Sequence, residues 1–161
     1  MLTPKKAPYA DTEVGIEQSM MEINKLLKAY GINNYVWTTL WGENIVSLKF
    51  ALEVKPGKYV PIRMTPPMFL AKRKNWNAKH NKYDIVDLPN WAQSLRLLFW
   101  LLKTKLEAIA YGFREVQEEF MGDILVRLPD GREGTMSEAM KQQLPYSKGT
   151  EPLELGQGGV R

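Results

Sequence analysis

The residues best suited to chemistry are the cations in the middle of the chain. From Lys49 to Lys82 there are nine basic residues and a single acid, Glu53, so this segment carries a net charge of +8. The whole chain carries +4, which leaves −4 for the remainder. Charge concentrated in this way favours a polyanionic partner, whereas the alternative is a solvated surface of lysines. The nine are Lys49, Lys55, Lys58, Arg63, Lys72, Arg73, Lys74, Lys79 and Lys82.

Aromatic residues are interleaved with these cations between residues 65 and 89. Phe69, Trp76 and Tyr83 are spaced along this segment. Aromatic rings stack on bases, while ammonium and guanidinium groups bind phosphates, so the mixture suits single-stranded nucleic acid. Three prolines and the length of the segment predict a long functional loop. The alternative is a loop that Phe69 and Trp76 hold against the core while its lysines are merely solvated.

A second candidate surface is the polar face of a predicted sheet. The first strand has aromatic residues on one side, and the next two strands carry Lys49 and Arg63 on their polar side. If these sides belong to the same face of the sheet, that face presents rings beside cations, as a nucleic-acid-binding surface would. The alternative is that these aromatics pack beneath a helix, because large aromatic residues are mostly buried. The residues on that side of the first strand are Tyr35, Trp37, Thr39 and Trp41.

A catalytic alternative is a metal-dependent nuclease, since Glu53-Val54-Lys55 matches the Glu-x-Lys half of the motif of restriction-endonuclease-type enzymes. Such a site needs a second carboxylate to hold a divalent ion. The nearest acid, Glu43, lies at the far end of the second strand. His80 is the only histidine and the chain has no cysteine, so ordinary histidine or thiolate metal sites are not expected. The sequence therefore predicts no enzymatic activity, no metal and no cofactor.

The periodicity of apolar residues predicts an α+β fold. Two long amphipathic helices should pack on one face of a three-stranded antiparallel meander, in the order α-β-β-β-α, with a small C-terminal β-α appendage. The third strand should lie at an edge, because Pro61 cannot donate a hydrogen bond to a neighbouring strand. The predicted strands are 35–41, 45–54 and 59–64.

Capping residues mark the predicted helix ends. The first helix, 12–30, should be capped by Asp11 or Thr12 and should end at Gly31. Asn90 can cap the second long helix. The segment Thr135-Met136-Ser137-Glu138 is a capping box that predicts a short final helix.

The chain is predicted to form one domain over residues 11–144, between a disordered leader, 1–10, and a disordered tail, 145–161. There is no signal-peptide pattern at the start. The longest strongly apolar run, 97–102, is too short for a membrane span, which needs about 20 residues. The absence of cysteine fits a reducing compartment. We therefore expect a soluble cytoplasmic protein that does not enter a membrane.

Several segments together form a pattern across most of the chain. They are the residues 23–28 with Tyr30-Gly31, the strand 46–52, the helix 95–109 running into Glu118-Glu119-Phe120, and the segment 128–132, Leu-Pro-Asp-Gly-Arg. In these features the chain resembles a group of small uncharacterised proteins of tailed phages and prophages over roughly residues 12–144. The resemblance implies a phage context and a location in the host cytoplasm. It assigns no activity and no functional residues.

Taken together, the sequence predicts a non-enzymatic nucleic-acid-binding accessory protein with a preference for single strands. A rival hypothesis is a protein-interaction module that binds or inhibits a host factor through the acids Glu115, Glu118, Glu119 and Asp123. The nuclease is a second alternative. The predicted nucleic-acid-binding residues are Lys49, Lys58, Arg63, Lys72, Arg73, Lys74, Trp76, Lys79, Lys82 and Trp37.

Overall fold

An antiparallel sheet of three strands, packed against two long helices, forms the core of the protein. The computed structural model describes residues 7–143. The helices and strands, in chain order, are α1 (Ile16–Ala29), β1 (Tyr35–Leu40), β2 (Ile45–Lys55), β3 (Lys58–Met64), β4 (Leu70–Asn77), β5 (Lys82–Pro89), α2 (Trp91–Ala110), α3 (Val116–Phe120), β6 (Leu125–Arg127), β7 (Glu133–Thr135) and α4 (Met136–Gln143). The main sheet has the order β1-β2-β3. The predicted α+β arrangement is confirmed.

The core lies between the main sheet and the two long helices. Alternate residues of β2, namely Val46, Leu48 and Phe50, are buried on the helix side, as the alternation predicted. Each fully buried aliphatic or aromatic side chain contributes about 1.5–3 kcal/mol to folding. The buried apolar residues that the two long helices supply are Ile23, Leu27, Trp91, Leu95, Leu98, Leu102 and Leu106.

The first helix is shorter at its start than predicted. It begins at Ile16 after Gly15, and no side chain caps it, so capping by Asp11 or Thr12 is wrong. The Thr12 hydroxyl instead accepts a hydrogen bond from the Val14 amide at 3.2 Å, which fixes the preceding turn. The C-terminal prediction is confirmed, because Gly31 has a φ of +76° directly after the helix.

A tight turn joins β2 to β3, which is an outer strand of the main sheet. Gly57 has a φ of +72°, which suits a glycine in a tight turn. The Gly57 amide donates to the Glu53 carboxylate at 2.7 Å, so this acid stabilises the turn. Pro61 lies in β3, which is an outer strand of the three, as predicted.

The C-terminal unit, residues 121–143, contains β6, β7 and α4. Thr135 and Glu138 form the predicted capping box at the start of α4. The Glu138 amide donates to the Thr135 hydroxyl at 3.2 Å, and the Thr135 amide donates to the Glu138 carboxylate at 2.9 Å. The unit joins the main sheet through a bridge between Ile62 and Ile124.

The largest difference from the sequence prediction concerns residues 65–89. The prediction of a long irregular loop is wrong, because β4 and β5 pair antiparallel from Leu70 opposite Pro89 to Asn77 opposite Lys82. These strands form a two-stranded sheet of their own. The chain therefore carries a β-hairpin, residues 70–89, which we call the arm.

The ends of the chain lie outside the described residues. The predicted tail, 145–161, and residues 1–6 of the predicted leader are among them. Residues 7–10 of the leader are described, and the Pro8 carbonyl accepts a hydrogen bond from the Gln93 side-chain amide at 2.7 Å. This contact places the end of the leader against the first turn of α2.

Candidate nucleic-acid interface

The arm is anchored at its base and exposed over its length. The Asn90 amide donates to the Phe69 carbonyl at 2.7 Å, and the Phe69 amide donates to the Ser94 hydroxyl at 3.4 Å. These bonds attach the arm to the first turn of α2. No side chain of residues 70–89 is buried among the described residues, and β4 and β5 contact mainly each other. The arm therefore offers both of its faces to a partner.

The strand register divides the arm into two faces, because directly opposite residues of an antiparallel pair lie on the same side. One side holds both of the arm's aromatic rings, and we call it the aromatic face. We call the other side the network face. The aromatic face consists of Leu70, Lys72, Lys74, Trp76, Tyr83, Ile85, Asp87 and Pro89, and the network face of Ala71, Arg73, Asn75, Asn77, Lys82, Asp84, Val86 and Leu88.

The aromatic face is open and mixes rings with cations. Trp76 and Tyr83 are opposite one another, with ring centroids 5.0 Å apart and planes inclined at 65°. They are 49% and 64% exposed. Lys74 lies opposite Ile85, which is 69% exposed, so no acid faces this lysine across the strands. Rings beside free ammonium groups are the combination that binds single-stranded nucleic acid.

The network face is held together by polar contacts near the tip of the arm. The Asn77 side-chain amide donates to the Asp84 carboxylate at 2.6 Å, and the Lys82 ammonium lies 3.7 Å from the same carboxylate. The Asn77 carbonyl oxygen accepts from the Lys79 amide at 3.1 Å, which shapes the turn. Most polar groups near the tip of this face thus already have partners within the arm.

The structure separates the predicted cation triplet. Lys72 and Lys74 lie on the aromatic face, whereas Arg73 lies on the network face, and all three are exposed. Lys79 is exposed in the turn at the tip. Lys58 is also exposed, but it begins β3, at the end of that strand farther from the arm. The arm therefore brings together Lys72, Arg73, Lys74, Trp76, Lys79 and Lys82 of the predicted site.

Trp37 does not belong to this surface. It lies opposite Leu48, on the buried side of the sheet, and its indole N–H donates to the Asn24 side chain at 2.9 Å. The prediction that the aromatics of the first strand share a face with Lys49 and Arg63 is therefore wrong, because that side of β1 meets α1. Trp41 is outside β1, in a short 3-10 turn.

Lys49 and Arg63 lie opposite each other on the other side of the sheet, where the C-terminal unit engages both. Arg63 makes two hydrogen bonds to the Glu138 carboxylate, at 2.9 and 2.8 Å. Lys49 binds Glu133, and this hydrogen bond lowers the pKa of the Glu133 carboxyl. Both predicted binding cations thus form ion pairs within the chain.

This pairing predicts that Lys49→Ala leaves nucleic-acid affinity nearly unchanged. The lysine is already matched by Glu133 and lies outside the arm, so its loss should change affinity by less than about twofold, which is about 0.4 kcal/mol. The measurement compares Lys49→Ala with Lys74→Ala by fluorescence anisotropy of a labelled oligonucleotide. Equal losses for the two variants would show that the sheet takes part in binding.

The carboxylates proposed for other functions have structural contacts. Glu53 bonds to the Gly57 amide, as described above. The Glu115 amide donates to the Glu118 carboxylate at 3.2 Å in a capping box at the start of α3. Within residues 7–143, no group of three or more His, Cys, Asp or Glu residues could hold a metal ion.

A partly buried lysine, Lys105, contacts two further acids of the predicted docking face. The Lys105 ammonium lies 3.4 Å from Glu119 and 3.7 Å from Asp123, and 4.9 Å from the centre of the Phe120 ring. Burial raises the pKa of the Asp123 carboxyl, while the nearby Lys105 opposes this effect. Two of the four acids assigned to a protein-docking face are thus engaged with Lys105.

Comparisons with protein-family models, with curated proteins and with solved structures find no match to this chain. None of the helices within residues 7–143 is both long and apolar enough to cross a membrane. The chemistry and geometry of the arm are therefore the basis for a functional assignment.

Proposed function

We propose that this protein is a non-enzymatic nucleic-acid-binding accessory protein with a preference for single strands, and that the arm is its binding element. The observation that carries the proposal is an exposed β-hairpin that joins aromatic rings to cations outside the core. The phage context and host-cytoplasm location are part of the proposal and rest on the sequence resemblance over residues 12–144.

The charge of the arm supports a polyanionic ligand. The arm has five lysine or arginine residues against two aspartates, Asp84 and Asp87, which gives it a net charge of +3. Four of the five cations make no ion pair with any residue in the described part of the chain. Exposed, unpaired cations can release counterions from a nucleic-acid backbone when they bind phosphates. The four are Lys72, Arg73, Lys74 and Lys79.

A protein partner is the second candidate, and one observation favours it. Leu70 and Ile85 on the aromatic face are 60% and 69% exposed. Both side chains lie on the same face of the arm, and exposed apolar surface can mark a protein-binding site. Such an interaction would depend on these two residues and would respond weakly to salt, whereas nucleic-acid binding would respond strongly.

The salt dependence of binding tests the proposal. Each phosphate contact to a single strand contributes about −0.7 to the slope of log affinity against log salt. Three or four contacting cations of the arm should therefore give a slope between about −2 and −3. The measurement is fluorescence anisotropy of labelled single- and double-stranded DNA and RNA at about 50 and 200 mM salt. No binding of any of these ligands at the lower salt concentration would refute the proposed function.

A further inference from the structure

The two faces of the arm have different chemistry, although they lie on the same two strands. We infer that the aromatic face alone binds the ligand, that Trp76 and Tyr83 stack on unpaired bases, and that Lys74 is the main phosphate contact. This inference rests on the proposed function and adds to it which side of the arm works and what each side chain does.

The arrangement of the two rings indicates unpaired bases. In an edge-to-face pair, the edge of one ring covers a face of the other, so at least one ring keeps both faces clear of its partner. Trp76 and Tyr83 are paired in this way, and both are exposed. A duplex shows only base edges in its grooves. Stacking on Trp76 or Tyr83 therefore requires bases that are unpaired.

The cations of the aromatic face are spaced along the same strand as Trp76. Side chains two residues apart on a strand are separated by about 7 Å, so Lys72, Lys74 and Trp76 form a row on β4. Lys72 lies opposite Asp87, which weakens its attraction for a phosphate, whereas Lys74 lies opposite Ile85. Of the two cations in this row, Lys74 is therefore the one that has no acid on the opposite strand and has Trp76 as its neighbour on the same face.

The network face has the same balance of two cations and one acid as the aromatic face, but it has no aromatic ring and its acid lies beside one of its cations. Asp84 lies on it and would repel a phosphate, and Lys82 is already near that carboxylate. Arg73 is the remaining cation of this face, and it lies opposite Val86. Arg73 is adjacent to Lys74 in the chain, has the same charge and is also exposed. It is therefore a matched control for Lys74 that differs mainly in the side of the arm it occupies.

The experiment compares four variants of the full chain, Trp76→Ala, Trp76→Phe, Lys74→Ala and Arg73→Ala. Each is titrated into a labelled thymine oligonucleotide and into a duplex of the same length at several salt concentrations. Trp76→Ala should weaken single-strand binding by about 5- to 150-fold, and Trp76→Phe should recover much of the loss because it keeps a ring. Lys74→Ala should make the salt slope shallower by about 0.7, while Arg73→Ala should leave the slope unchanged.

The outcomes separate this inference from the proposed function. If the wild type binds neither of these ligands nor the RNA used in the salt titration, the proposed function fails and the inference fails with it. If the wild type binds but prefers the duplex, the inference fails together with the proposed single-strand preference, while nucleic-acid binding itself stands. If Arg73→Ala and Lys74→Ala change the slope equally, only the inference is refuted. Stacking would also be refuted by a third outcome. In it, Trp76→Ala loses both binding and melting temperature, and Trp76→Phe restores the melting temperature but not the affinity.

Discussion

Replacing Phe120 by Ala is expected to reduce the free energy of unfolding by about 3–5 kcal/mol, the range for a large aromatic removed from a core. The Phe120 side chain is 0% exposed. Its ring meets Phe50 of the sheet edge to face, with centroids 5.9 Å apart, and the Lys105 ammonium lies against it. The mutation should therefore leave a cavity where α3 meets the sheet, and it should also remove the ring beside Lys105.

Urea denaturation of Phe120→Ala measures this effect, and Phe113→Ala is the matched control. Phe113 is the same residue type, seven positions earlier in the chain, but it is 79% exposed. Its replacement should change stability by no more than about 0.5 kcal/mol. A loss below about 1 kcal/mol for Phe120→Ala would mean that the site can close around the missing ring. The packing of α3 against the main sheet would then contribute less to stability than its contacts indicate.

The order of the core elements was predictable because each had an unambiguous pattern. β2 alternates over its whole length, so its buried side could be assigned from Val46, Leu48 and Phe50. Pro61 marked an edge strand, and Thr135 with Glu138 marked a helix start, since both depend on local hydrogen bonding. Such local rules apply regardless of how the remainder of the chain folds.

The orientation of β1 could not be predicted from the sequence. Both of its sides contain apolar residues, with Tyr35 and Trp37 on one side and Val36 and Leu40 on the other. A shift of one residue in register exchanges the two sides of a strand. Only packing decides between them, and here α1 supplies Asn24 as a partner for the Trp37 indole N–H. The predicted aromatic surface on the sheet was wrong for this reason.

The arm cannot be recognised as a hairpin from the sequence, because its residues show no clear alternation. Apolar and polar residues alternate along a strand when one face is buried, and neither face of the arm is buried among the described residues. Its turn also lacks the Asn-Gly or Asp-Gly pair typical of short hairpins. One short run does indicate a strand. Residues 83–86 contain two β-branched residues and one aromatic residue, types that favour strands. The interleaved rings and cations can still be identified from the sequence, since composition does not depend on fold.

The position of the ion pairs weighs against the sheet as a binding surface and in favour of the arm. Lys49 and Arg63 stabilise the packing of the C-terminal unit, so a phosphate would have to compete with Glu133 and Glu138 for them. No such competition is needed at Lys74, which has no acid opposite it. A ligand should therefore bind to the arm without displacing any part of the fold.

Replacing Lys72, Arg73 and Lys74 together with Ala should weaken single-strand binding strongly while leaving stability nearly unchanged. All three are exposed on the arm, so the free energy of unfolding should change by about 0.5 kcal/mol or less per site. If the affinities of variant and wild type converge near 1 M salt, the loss at 0.1 M is about 25-fold when two of the cations contact phosphates and about 125-fold when all three do. The size of the loss thus counts the contacting cations.

A second triple variant, Lys25→Ala, Lys28→Ala and Lys141→Ala, distinguishes position from total charge. These lysines are exposed on α1 and α4, away from the arm, and their removal lowers the net charge by the same amount. If binding depends on specific phosphate contacts, this control should keep the wild-type salt slope, because a general attraction adds little once ions screen beyond about 10 Å. Equal losses in the two triple variants would mean that net charge, not the arm, drives binding. If the variant without Lys72, Arg73 and Lys74 binds as well as the wild type, these cations do not contact the ligand. The exposed Leu70 and Ile85 would then indicate a protein partner.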